Sequence, residues 1–119
     1  MGRGIKRVYV AGAYSADNVI SVLDNMRKGM RVSTEVLLAG FAPFSPWLDY
    51  HFTLMLQGDE KLTVEDYYNY SMRWLEASDA ILLVSGWENS KGTAAELARA
   101  EELKIPVFVS IEDLKKVKL

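Results

Sequence analysis

The chain has 119 residues, half of them apolar and a quarter charged, with a net charge of −2 and no cysteine. That length suits one domain, and the composition excludes a disordered chain, a disulfide scaffold and a thiolate metal site. Lys and Arg form no basic stripe, so polymeric nucleic acid is not an expected partner.

No apolar run reaches the roughly 18 residues of a membrane span, so no membrane contact is expected and the expected location is the cytosol. The opening Met1-Gly2-Arg3-Gly4-Ile5-Lys6-Arg7 is basic, but the apolar stretch after it is too short and too interrupted for a signal peptide. The tail Lys115-Lys116-Val117-Lys118 reads as a solvated end.

Val8-Tyr9-Val10-Ala11 is rich in β-formers and ends at Gly12, which predicts a buried first strand. Ala13 to Asn18 comes next as a loop with helix-capping residues. A helix is expected from about Val19 to Ala39, with Val22, Met26, Met30, Val32 or Ser33, Val36 and Leu37 on its inner side and Gly40 ending it. Phe41-Ala42-Pro43-Phe44 reads as a short strand near a sheet edge, because proline cannot donate to a ladder. Ser45 to Leu62 carries no clear period. A helix from about Thr63, its N-cap, to Glu76 precedes Ala80-Ile81-Leu82-Leu83-Val84, the plainest buried strand. After the loop Ser85 to Asn89, Ser90 caps a helix from Lys91 to Leu103. Pro106 to Val109 is a fourth strand, and Ile111 to Val117 a last short helix.

Strands alternating with helices predict a parallel sheet covered on both faces. The expected fold is α/β, a flavodoxin-like three-layer sandwich in one domain with strand order 2-1-3-4 and room for a short fifth strand. Ligands of such sheets sit beyond the carboxyl ends of the strands, at the switch between strands 1 and 3. Two loops meet there, Gly12 to Asn18 and Ser85 to Gly92.

In the second loop, Ser90-Lys91-Gly92-Thr93 opens a helix whose free amides favour an anion such as phosphate, and Gly92 lets a ligand approach the backbone. Glu96 lies about one and a half turns into that helix, by the usual helical repeat. The same residues also read blandly, Ser90 as an N-cap and Glu96 as a surface carboxylate. Gly12, Ala13, Tyr14 and Ser15 offer a second set of amides, or an ordinary tight turn. Tyr9 is core by its place in the strand, yet its hydroxyl needs a partner when buried, and a carboxylate on the helix after strand 3 would serve. Trp87 is the first choice for stacking on a base, because it sits in the loop after strand 3. Other aromatics, Trp47 to Phe52 and Tyr67 to Trp74, fit core or a dimer contact. Asp79 opens a strand at its amino end and is structural in this reading. His51 is the lone histidine, so no metal site is expected.

Val8-Tyr9-Val10-Ala11-Gly12, Asp79-Ala80-Ile81-Leu82-Leu83 and Gly86-Trp87-Glu88-Asn89-Ser90-Lys91-Gly92-Thr93-Ala94-Ala95-Glu96 resemble the nucleoside 2-deoxyribosyltransferase superfamily. The nearest likeness is to its small phage and bacterial members and to nucleoside 5′-monophosphate N-hydrolases, over roughly Val8 to Val109. The resemblance implies that Glu96 attacks the anomeric carbon, that Tyr9 positions it, and that Ser90 contacts a 5′-phosphate. Transferases of unphosphorylated nucleosides tend to carry Asp at that last position, so Ser90 tilts the choice towards a monophosphate. It also implies no cofactor and a homodimer or higher homo-oligomer. One departure stands out: Ser71 occupies the position of the family's usual proton-handling Asp, with Asp66 five residues earlier. The phosphate loop carries Ser15 where some hydrolases have Arg.

The expected activity is hydrolysis of the N-glycosidic bond of a nucleoside monophosphate. Base exchange between deoxynucleosides is the alternative, and a non-catalytic nucleotide-binding module is the reading that Ser71 favours.

Overall fold

In a strand, successive side chains face opposite sides, so a fully apolar run supplies two cores at once. The structure, a computed structural model, describes residues 4–117; Met1, Gly2 and Arg3 of the basic start, and Lys118 of the basic tail, lie outside them. Four strands, β1 (Arg7–Ala11), β2 (Ala42–Phe44), β3 (Ala80–Leu83) and β4 (Val107–Phe108), form one sheet in the order β2-β1-β3-β4. Every pairing is parallel, and Tyr9 stands opposite Phe44 on one side and Ile81 on the other. The fold is α/β and flavodoxin-like; among the described residues no fifth strand forms.

Helices α1 (Val19–Leu38) and α5 (Ile111–Lys116) cover one face. Their Met26, Val36 and Leu114 pack with Val8, Val10, Ala80 and Leu82. Helices α3 (Val64–Glu76) and α4 (Lys91–Glu102) cover the other, where Leu75 and Ala100 meet Tyr9, Ala11, Ile81 and Leu83. The alternation along β1 therefore sends Val8 and Val10 one way and Tyr9 and Ala11 the other. Each long helix starts on a side-chain cap, from Asn18, Thr63 and Ser90, and Thr63 with Asp66 makes a full capping box.

Some expectations are adjusted. The strands are shorter than their apolar runs, since Phe41 and Pro106 precede them and Val84 and Val109 follow them. The stretch without a period folds as a 3-10 turn at Pro46–Asp49 and then the short helix α2 (Tyr50–Leu54). Leu37 is 61% exposed, and the inner stripe of α1 runs through Gly29 instead. Trp47 explains the glycine on this stripe. It is 1% exposed, and a Cβ on Gly29 would lie 2.3 Å from its indole, so the helix needs glycine where the ring crosses. No helix of the described residues is long and apolar enough to cross a membrane.

Candidate active site

A tyrosine buried in a strand and a glutamate one and a half turns into a helix meet at the carboxyl end of the sheet. Tyr9 is fully buried, Glu96 is 8% exposed, and the Tyr9 hydroxyl donates to Glu96 Oε2. The Ser71 hydroxyl on α3 shares in this contact with Tyr9. Burial pushes the Glu96 carboxyl up to about 7, against the pull of the Tyr9 hydrogen bond. Burial and the neighbouring Glu96 raise Tyr9, so its phenol stays protonated and donates to Glu96.

Above this pair opens a cavity of about 590 Å³, within the range of small-molecule sites. Glu96 lines it, as do Gly12 to Ser15 from the loop after β1 and Ser90 to Thr93 from the start of α4. The Ser90 Oγ accepts from the Thr93 amide at 3.1 Å and from the Thr93 hydroxyl at 3.0 Å. Both acceptor sites of that oxygen are then taken, and its own proton is left for an external acceptor. The plain N-cap role and an anion-binding role are thus compatible. The amides of Ala13, Tyr14 and Ser15 meet no acceptor among the described residues, while the carbonyls of Ala13 and Tyr14 are held by Trp47 Nε1 and Asn25 Nδ2. The amides of Lys91 and Gly92, in the first turn of α4, are unused within the helix. The arrangement suits an oxyanion.

The far wall comes from the segment without a sequence period. Pro46, Trp47 and Asp49 line the cavity, with Thr53 of α2. Asp49 is 8% exposed and accepts from the Tyr14 hydroxyl at 2.9 Å. Burial holds its carboxyl above the usual range, opposed by that hydrogen bond. Sequence reasoning missed Asp49. The signal present was a single carboxylate inside the aromatic run Trp47 to Phe52, a setting in which it is either buried or out of place.

Glu96, Tyr9, Gly12, Ala13, Tyr14, Ser15, Ser90 and Gly92 are brought together as the sequence suggested. Trp87 is not: it packs against the core beneath α3 and α4, with Tyr9, Leu75 and Leu83, and does not line the cavity. Gly86, at φ 92°, turns the chain so that a 3-10 turn comes after β3. The aromatics that do reach the cavity, besides Tyr14, are Trp47, Tyr67 and Tyr68. Gly92 also has a different neighbour from the one expected. A Cβ there would lie 2.9 Å from the Tyr68 hydroxyl, so it is this phenol that approaches its backbone. Trp47 is core and site wall, not dimer surface, whereas Tyr50, Phe52, Tyr68 and Trp74 are exposed. Asp79 is structural, at the opposite end of the sheet, where its Oδ2 accepts from the Lys6 and Arg7 amides. Among the described residues no group of three or more His, Cys, Asp or Glu is placed to hold a metal ion.

A family model described as a domain of unknown function, DUF4406, matches residues 6–109. No curated protein matches the sequence. The matched span includes both amide-bearing loops, the aromatic wall and the Tyr9–Glu96 pair.

Proposed function

The chain belongs to the DUF4406 family, whose description assigns no activity, and we propose that it hydrolyses the N-glycosidic bond of a nucleoside 5′-monophosphate. The observation that carries the reading is the buried Tyr9–Glu96 hydrogen bond on the floor of a cavity flanked by two anion-ready loops. Resemblance to the nucleoside 2-deoxyribosyltransferase superfamily supports the same roles. The phosphate rests on the amides of Ala13 to Ser15 and of Lys91 and Gly92, and Ser90 donates its hydroxyl proton. Tyr9 holds Glu96 by one oxygen and leaves the other to face C1′. Glu96 attacks C1′ as the base leaves, and water then hydrolyses the glycosyl ester. A desolvated carboxylate is suited to this step, since positive charge develops on the sugar beside it. Exposed Tyr50, Phe52, Tyr68 and Trp74 favour pairing of two copies.

The test is incubation with the common ribo- and deoxyribonucleoside monophosphates, reading released base by chromatography. Glu96→Ala and Glu96→Gln are expected to lose base release by about 10³-fold or more, while calorimetry still detects nucleotide binding. Wild-type turnover in either variant refutes the assignment. Addition of a free acceptor base separates transfer from hydrolysis. Binding without any base release over hours leaves a nucleotide-binding module.

A further inference from the structure

Cleavage of an N-glycosidic bond needs a proton for the departing base, and neither residue in the usual region supplies one. Ser71 is a hydroxyl that touches Tyr9, and it does not give up a proton at neutral pH. Asp66 is tied to the N-cap of α3, where the Thr63 amide and hydroxyl hold its carboxylate ionised, and it does not line the cavity.

Asp49 differs on every count. It is buried and lines the same cavity as Glu96. The strand order puts the segment after β2 and the helix after β3 on either side of the end of β1, so the two carboxyls approach the cavity from opposite flanks of Tyr9. The groups facing Asp49 are phenols: Tyr14 donates to it, and its charge adds to the burial that raises Tyr9 of β1 and Tyr70 of α3. No Lys or Arg of the described residues forms an ion pair with it; the cation lining the cavity is Lys91, at the start of α4. A carboxyl without cations and with few donors keeps its proton more readily than a solvated one.

We propose that Asp49 is the acid–base residue of this site, an assignment that rests on Glu96 as the nucleophile. In the first step the Asp49 O–H passes its proton to the base as the C1′–N bond breaks and a Glu96 oxygen bonds to C1′. In the second, the Asp49 carboxylate takes a proton from water as that water's oxygen displaces Glu96 from C1′. Free base and sugar phosphate leave, and both carboxyls return to their starting forms. Two carboxyls with separate roles flanking the scissile bond is the general plan of glycoside cleavage.

The decisive experiment compares a panel of nucleoside monophosphates with p-nitrophenyl ribofuranoside and 2-deoxyribofuranoside 5-phosphates, whose leaving group departs without a proton. The quantity read is kcat/KM, which reports the first step. Asp49→Asn is expected to lose about 10²–10⁴-fold on the nucleotide but less than about ten-fold on the nitrophenyl substrate. Glu96→Gln loses both. As pH rises and Asp49 ionises, wild-type kcat/KM falls with the nucleotide relative to the nitrophenyl substrate. Equal loss on both substrates by a folded Asp49→Asn overturns the proposal. Should Asp49→Asn not fold, wild-type pH profiles that run parallel for the two substrates overturn it. A wild type inert on every substrate refutes the reading of the site itself, and this assignment with it.

Discussion

The two ends of the sheet treat carboxyl groups in opposite ways. At the amino end, Asp79 accepts from the Lys6 and Arg7 amides at 2.9 and 2.8 Å, with the Arg7 guanidinium 3.6 Å away. Those partners outweigh its partial burial and hold it below the usual carboxylate range. At the carboxyl end, Glu96 and Asp49 each accept from a phenol, and burial pushes both upwards. A carboxylate that fastens strands together is surrounded by donors. A pair kept short of donors, at a cost in stability, inside a cavity of ligand size fits a site built for chemistry.

The sharpest break in this comparison is pH. In the folded chain Glu96 titrates at about 7, above its ordinary value of 4.5. The native state therefore holds a proton that the unfolded chain has already released, and stability falls as pH rises through this window. The contribution is fully present below 4.5 and is lost above 7. At ~1.4 kcal/mol per unit it amounts to about 3 kcal/mol. Glu96→Gln keeps an oxygen for the Tyr9 hydroxyl and removes the titration. Urea unfolding is expected to show similar stability for the two proteins at about pH 4, and a variant more stable by about 3 kcal/mol at about pH 9. A difference that does not change with pH would mean that Glu96 is not desolvated in solution.

The next test reaches the site through its far wall. Gly29→Ala gains about 1 kcal/mol of helix propensity, but its new methyl group lies 2.3 Å from the Trp47 indole. Overpacking of that kind costs about 1–3 kcal/mol, so the net effect is a loss of up to about 2 kcal/mol. The displaced indole also loosens its bond to the Ala13 carbonyl and, through it, the anion-ready loop. Thermal melting reads the first effect and a raised KM the second. Trp47→Leu in the same chain is expected to restore part of the melting temperature but not the KM. A Gly29→Ala variant more stable than wild type would mean that the indole yields.

How much of the molecule is legible in its sequence depends on the range of each signal. β1, β3 and α4 announce themselves by local apolar runs and a capping serine. Strand alternation and helical rise then bring Tyr9 and Glu96 together with little further information. Asp49 escaped because a 3-10 turn leaves no period, and its burial depends on Trp47 docking against Gly29 of the preceding helix, a contact no local pattern encodes. Trp87 was misplaced for a related reason. Its position after β3 pointed to the cavity, but the left-handed Gly86 returns the chain, and the large apolar ring takes the core beneath α4. The inner stripe of α1 passes through Gly29, a residue without a side chain, which a hydrophobic pattern cannot see, while Leu37 faces out.

The smallest expected effect tests the amino end and completes the contrast. Asp79→Asn retains the shape and one acceptor oxygen but removes the charge that accepts from two amides and faces Arg7. Hydrogen bonds to a charged group contribute more than neutral ones, but the Arg7 guanidinium is more than half exposed and screened, so about 1–2 kcal/mol is expected. The sign with pH is opposite to that of Glu96. A carboxyl held below its ordinary value stabilises the fold above that value, and the benefit fades as acid protonates it. Wild type and Asp79→Asn are therefore expected to differ at neutral pH and to converge in acid, whereas wild type and Glu96→Gln converge in acid and part in base. Base release by Asp79→Asn should match wild type, because the substitution lies at the far end of β1 from the cavity. If it instead lowers turnover as Glu96→Gln does, the division between a fastening end and a reacting end of this sheet is wrong.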